Sequence, residues 1–287
     1  MPHLSQHQTT ILQLFLAMFN ASPGLDNLRI LASQLHDNQS LASLTQWLAN
    51  SAIFYGKDYA HLNSEAFAHR LVDDLFGEQV SNANKMLIYD FIVNQSAAGV
   101  SQDQLITELV NALSVISTSD RNWGQAAIQH NINGINKILD HLLADTFALN
   151  NRAIVKDHMI MQIMSGGTLG ETIIWAVNTV GNVDLDNIVW GNASRLFKNR
   201  LEVSKYYSVD MAGKSIDFIS TQKILEAVTE DSDTVVKAKM IIDSKLNNSG
   251  SSFTSIDFQL YQTIKKIHDN SLSMILKNLP SNELMVG

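Results

Sequence analysis

Residue types that could do chemistry are present in this sequence, but not at the spacings chemistry needs. Of the nine histidines, His3 and His7 sit at helical spacing at the very N-terminus. His61 and His69 are too far apart to share adjacent turns, and there is no H-E-x-x-H, so a metal enzyme is not expected. The stretch His158-Met159-Ile160-Met161-Gln162-Ile163-Met164 offers soft ligands of a copper-binding kind. On a helix, however, His158 and Met159 point in different directions, and methionine is an ordinary core filler. Core is the reading taken, with a Met-rich pocket for a small molecule or metal as the alternative. Gly166-Gly167-Thr168-Leu169-Gly170-Glu171 lacks the strand and lysine of a phosphate loop and is expected to be a turn between helices. No serine sits in a G-x-S-x-G elbow. Acidic neighbours such as Asp73-Asp74 and Glu230-Asp231 do not face one another on a helix. No catalytic residue and no cofactor is expected. Asp184 and Asp186 beside Asn187 could bind calcium weakly, but helix capping is the preferred reading.

Recognition has more to work with. Trp123 and Trp190 each precede a glycine shortly after an aspartate. Such an indole can staple a helix start onto a neighbour, or its face can stack on a pyranose. Trp190 also opens the densest basic-aromatic run of the chain: Arg195, Lys198, Arg200, Lys205, Tyr206 and Tyr207. This run is the candidate site for an anionic glycan, against the plainer reading of a solvated helix face.

The elements that must position these residues are helices. The prolines, Pro2, Pro23 and Pro280, leave nearly the whole chain free of helix breakers. Apolar residues recur at i, i+3, i+4, i+7 in Leu105, Ile106, Leu109, Val110, Leu113 and Ile116, and again in Ile128, Ile132, Ile135, Ile138, Leu139, Leu142 and Leu143. N-caps are expected at Ser40, Ser64, Ser81, Ser101, Asp120, Asp186 and Thr221. No run alternates long enough for a sheet. The expected fold is all-α, a multi-helix bundle of about a dozen helices.

Only 17% of residues are charged and the net charge is −8, without a basic run, so a nucleic-acid partner is not expected. There is no cysteine, hence no disulfide and no thiol nucleophile; that composition suits the cytosol, and also chains that leave a Gram-negative cell unfolded. The N-terminus lacks the basic region and cleavage site of a Sec signal, and no apolar run approaches the roughly 20 residues that span a bilayer.

Three echoes suggest duplicated helical units. Leu16 to Phe19, leading to Ser40-Leu41, resembles Asp73 to Gly77, leading to Ser101-Gln102; Asp120 to Ala126 resembles Asp186 to Ala193; Asn151 to Val155 resembles Asn199 to Val203. The expected organisation is a helical unit over 1–118, a second packed on it over 119–249, and a linker with a C-terminal amphipathic helix over 250–287. That last helix carries Ile256, Leu260, Ile264, Ile267, Ile275 and Leu279 on one stripe.

Three segments resemble a family of helical domains in bacterial surface-layer and type I-secreted exoproteins. Phe15 to Leu28, with Pro23-Gly24-Leu25, resembles the family's opening unit. Leu75-Phe76-Gly77 through Ala98-Gly99-Val100-Ser101 to Leu113 resembles its leucine-aromatic-Gly, helix, Ala-Gly-x-Ser, helix unit. Trp190-Gly191-Asn192-Ala193 with Phe197 to Tyr207 resembles its closing unit. The likeness spans roughly 10–245 and implies a helical fold, a surface or secreted destination and no known chemistry. It further implies attachment to lipopolysaccharide or self-assembly as a homo-oligomer. The ending Glu283-Leu284-Met285-Val286-Gly287 is similar to the uncleaved C-terminal signal read by type I export machinery; its alternative is a terminal helix docked on the bundle.

Overall fold

The computed structural model describes residues 4–36, 40–55, 59, 61–78, 80–144, 146, 149–213 and 218–248. The expected linker and amphipathic helix over 250–287 lie outside the described residues. The chain runs through α1 (Gln6–Phe19), α2 (Leu25–His36), α3 (Leu41–Ala49), α4 (Ala52–Tyr55), α5 (Ser64–Phe76), α6 (Asn82–Ala97) and α7 (Gln102–Ser114). It continues through α8 (Gly124–Leu143), α9 (Leu149–Met164), α10 (Leu169–Asn182), α11 (Gly191–Lys205), a π-helical turn (Tyr206–Asp210), α12 (Phe218–Glu226) and α13 (Ser232–Asn248). No strand occurs among the described residues; the all-α expectation is met.

The apolar stripes account for the packing. In α7 Leu105, Ile106, Leu109, Val110 and Leu113 are all buried. In α8 Ile135, Ile138, Leu139, Leu142 and Leu143 are buried, while Ile128 and Ile132 are only half-buried because Ala126, Ala127 and His130 take the inward face there. Apolar on every side in its C-terminal half, α1 buries an unbroken run from Leu14 to Phe19, as an interior helix segment must; it packs against α2, α10 and α11.

The chain divides into two compact units. One contains the described residues up to Gln46 and those from Ile135 onward; the other is Trp47–Gly134. The transitions fall inside α3 and α8, not at the 118/119 boundary expected from sequence. Composition shifts mark linkers, and neither transition is a linker.

A second level of order is a 67-residue offset. The starts of α6 and α9 (Asn82, Leu149), of α7 and α10 (Gln102, Leu169) and of α8 and α11 (Gly124, Gly191) each stand 67 residues apart. So do their caps. Ser101 and Thr168 cap through their hydroxyls, Gly99 and Gly166 turn at φ +89° and +98°, and Gly77 and Ala144 close the preceding helix in the left-handed region, their N–H groups donating to Asp73 O and Asp140 O. Asn20 plays the same part after α1, donating to Leu16 O, so the first echo in the sequence is a structural equivalence. The Trp-Gly echo is one as well: Asp120 Oδ1 accepts from the N–H groups of Asn122 and Trp123, and Asn187 Oδ1 from those of Val189 and Trp190. The third echo is not, because Asn151 lies near the start of α9 and Asn199 in the middle of α11.

Three expected caps move. Asn63, not Ser64, caps α5; Asn187, not Asp186, supplies the turn oxygen before α11; and Thr221 lies buried inside α12, accepting from Ser22 N–H. In the first two cases a neighbouring side chain of the same short polar type has the extended backbone or reach the cap needs.

Both Trp-Gly corners require an absent side chain. A Cβ on Gly124 would lie 2.5 Å from Thr118 O, and one on Gly191 would strike Leu185 O. Gly124→Ala and Gly191→Ala are each expected to cost roughly 1–3 kcal/mol. Gly181→Ala, whose Cβ would make an ordinary 3.5 Å contact with Phe197, should be close to neutral. Urea midpoints of the three variants check this; equal losses would sink it.

Two histidines are structural. His141 Nδ1 donates to Ala17 O at 2.9 Å, and Arg200 Nη1 donates to His141 O at 2.8 Å, so α8 is tied to α1 and α11. His130 is fully buried, 3.1 Å from the Tyr55 hydroxyl. Burial pushes both imidazoles down from 6.5 to about 4. The folded protein therefore holds them neutral while the unfolded chain protonates them. Their contribution is full above pH 6.5 and is lost as pH falls toward 4. The melting temperature should fall between pH 6.5 and 4, and His141→Gln, which keeps a donor for Ala17 O, should shrink that fall; an unchanged fall would show that His141 is not among its causes.

Candidate functional site

A concave surface lies between α8, α9 and α10. Leu139, Leu142 and Leu143 of α8 form one side, Ile154, Val155 and His158 of α9 a second, and Trp175, Ala176, Thr179 and Val180 of α10 a third; Val183 and Trp190 close the end. The cavity measures about 330 Å³, at the small end of the range for small-molecule sites. The His158 imidazole stacks on Trp175, ring centroids 4.6 Å apart, and His158 and Thr179 are exposed at the mouth. Arg152, near the start of α9, bonds Asn136 O at 3.3 Å and the Asp140 carboxylate, a polar strut that joins α9 to α8 beside the opening.

The 67-residue offset explains why a groove exists here. The positions equivalent to Leu143, Val155, Ala176 and Val180 are Phe76, Ile88, Leu109 and Leu113. All four of these larger residues are buried, none more than 1% exposed. Phe76 packs edge-on to Trp123 at 5.8 Å, and Trp123 is buried with it. In the later copy each side chain is smaller, and the equivalent Trp190 is left half-exposed at the groove. Four inward positions are reduced in a retained backbone pattern, while Leu139, Trp175 and Thr179 replace the smaller Val72, Glu108 and Ala112 along the walls.

At several exposed positions the change runs the other way. Leu185, Ile188 and Val189 are exposed, Ile188 completely, where the earlier copy has Thr118, Arg121 and Asn122. On α9, Met161 and Met164 are exposed where the earlier copy has Asn94 and Ala97. Half-exposed Trp175 replaces Glu108. The fold does not require these apolar side chains, since the same turn forms with polar ones.

The basic-aromatic run of α11 does not form one surface. At about 100° per residue, Arg200 and Tyr207 fall on the inward face with Ala193, Leu196 and Val203, and both are buried. Arg200 Nε donates to Val228 O at 3.3 Å besides its bond to His141 O. Burial draws its guanidinium down to about 10 against the pull of Glu226, so it stays charged and serves as an internal tie. The Tyr207 hydroxyl donates to Gly213 O at 3.1 Å. Neither side chain is available to a glycan, which corrects the expectation for these two. Tyr206 donates to Asp243 Oδ1 at 2.6 Å, and that bond raises its phenol to about 12; Lys239 lies 5.3 Å from its ring centroid. Arg195 is half-buried, its Nη2 donating to Asn192 Oδ1 at 3.3 Å. Lys198 is exposed and Lys205 half-buried, seven residues apart on one strip. Trp190 belongs to the groove, at the opposite end of α11 from Lys205.

The methionines do not converge. Met159 is buried, whereas Met161 is 57% and Met164 60% exposed, and none lines the groove; His158 does. Asp184 and Asn187 are spent on turn hydrogen bonds, and no group of three or more His, Asp or Glu is placed to hold a metal among the described residues. Gly166 to Thr168 form the turn expected of them, with Thr168 and Glu171 in a reciprocal cap. Tyr55 and His130 are sealed in the interior of their unit. No described helix is long and apolar enough to cross a membrane. Sequence reasoning missed Ile154, Trp175, Ala176 and the exposed apolar residues of the Leu185–Val189 turn; aligning the two Trp-Gly motifs at 67 residues would have exposed them. No family model, no curated protein and no solved structure matches the chain.

Proposed function

We propose that the chain is a non-enzymatic, surface-associated or secreted bacterial recognition protein, and that it recognises its target through the apolar face around the α8–α9–α10 groove. One observation carries the reading: where the earlier copy is polar, charged or small, this copy presents Trp175, Met161, Met164, Leu185, Ile188 and Val189 at the surface. Exposed apolar side chains that folding does not need are a feature of binding surfaces. The surface destination and an envelope target rest on the resemblance to surface-layer and type I-secreted domains. Lipopolysaccharide fits both, since it joins a glycan to apolar tails.

Grafting the earlier copy's residues tests the face. Leu185→Thr, Ile188→Arg and Val189→Asn together should cut sedimentation with Gram-negative envelope fragments at least tenfold and leave the melting temperature within a few degrees. Lys198→Ala with Lys205→Ala should change sedimentation less than twofold. The reverse pattern would return recognition to the basic strip of α11. Expression of the full chain in a Gram-negative cell carrying a type I exporter should place it in the medium or on the surface, and removal of 253–287 should retain it in the cytosol; cytosolic retention of the intact chain would refute the destination.

A further inference from the structure

We infer that the groove takes a single apolar tail of about eight carbons, presented by an amphiphile whose polar end stays at the mouth beside His158 and Thr179. The inference rests on the reading of this face as a recognition surface and adds the chemistry and size of what enters it. The internal copy supplies the measure. Phe76, Ile88, Leu109 and Leu113 fill the inward part of the equivalent space, and their counterparts Leu143, Val155, Ala176 and Val180 carry eight fewer side-chain carbons between them, which sets the depth of the groove's floor. The missing matter is of side-chain size, so a whole helix or a folded partner is too large for the cavity itself. Its chemistry is apolar as well: ten of the twelve lining residues are aliphatic or tryptophan, and only His158 and Thr179, both at the rim, offer other polar groups. A sugar ring would leave its hydroxyls unpaired against Ala176 and Val180, which costs binding. A hydrocarbon tail loses nothing there, and the half-exposed indoles of Trp175 and Trp190 cover it from the sides.

The test titrates the full chain with straight 1-alkanols from butanol to dodecanol and follows the four indole N–H signals by NMR, assigned through Trp175→Phe and Trp190→Phe. Two signals, Trp175 and Trp190, should move. Affinity should rise about fourfold per methylene up to roughly eight carbons and then level off. Ala176→Leu with Val180→Leu, which restores the earlier copy's residues, should weaken octanol binding at least tenfold while keeping or raising the melting temperature. Should that pair not fold, Val155→Ile with Leu143→Phe fills the same space from the other sides. Lipopolysaccharide micelles that move the same two signals would identify the tail as that of an envelope lipid; octanol alone moving them would identify a free amphiphile, and either supports the inference. Affinity that climbs unchanged to dodecanol, refilled variants that bind as wild type, or equal shifts at Trp47 and Trp123 would overturn it. If the refilled variants still sediment with envelope fragments and the rim graft does not, the tail is excluded while the recognition face stands.

Discussion

The structure depends on a backbone corner that no side chain may enter. At Gly124 and at Gly191 a helix begins so close to the carbonyl of a residue six positions earlier that a β-carbon has no room. An Asx-type turn from Asp120 or Asn187 fixes the approach by accepting two N–H groups. The corner delivers a tryptophan onto the helices of its own copy and sets the direction of the long helix that follows. Because the turn is satisfied by backbone groups and one short side-chain oxygen, the other positions in it are free of structural duty. Thr118, Arg121 and Asn122 can become Leu185, Ile188 and Val189 without disturbing it.

That freedom is what separates scaffold from surface here. In the earlier copy the core is closed by Phe76 against Trp123 and by Ile88, Leu109 and Leu113. In the later copy the same positions are reduced by one to three carbons each. Reductions of this kind in a closed core cost about 1–5 kcal/mol apiece. An open groove spares part of that loss, because water enters and the walls are not left facing vacuum. The Arg152 strut to Asp140 and Asn136 spans α8 and α9 at the same end. The smaller side chains at these inward positions, in one copy and not the other, make the groove a departure from the repeat and not a consequence of it.

The charged residues of α11 show the opposite case. Arg200 is a cation in the sequence and a strut in the fold: it ties α11 to α8 through His141 O and to the turn after α12 through Val228 O, and its burial follows from the i, i+3, i+4, i+7 row it shares with Ala193, Leu196 and Val203. A buried guanidinium is tolerated because carbonyl oxygens accept its protons. Tyr206 is likewise occupied, by Asp243. A run that is dense in basic and aromatic residues along the chain is therefore divided around the helix circumference into an inner tie, a bonded phenol and two lysines.

Much of the fold was legible without coordinates, because helix formation is local. The apolar period of α7, the hydroxyl caps at Ser81 and Ser101 and the Gly-rich turn before Thr168 each lie within a few residues of what they determine. The duplicated Trp-Gly motif was legible for the same reason. The site was not. Ala176 and Val180 are ordinary core residues in any helical pattern, and their smallness has meaning only against Leu109 and Leu113 at an equivalent place. The burial of Arg200 depends on which face of α11 meets its neighbours, and the grouping of residues before Gln46 with those after Ile135 depends on packing between segments about a hundred residues apart. Local sequence sets periodicity and caps through short-range hydrogen bonds and sterics; which faces are covered, and where a space is left, is decided only when distant helices compete for the same apolar surface.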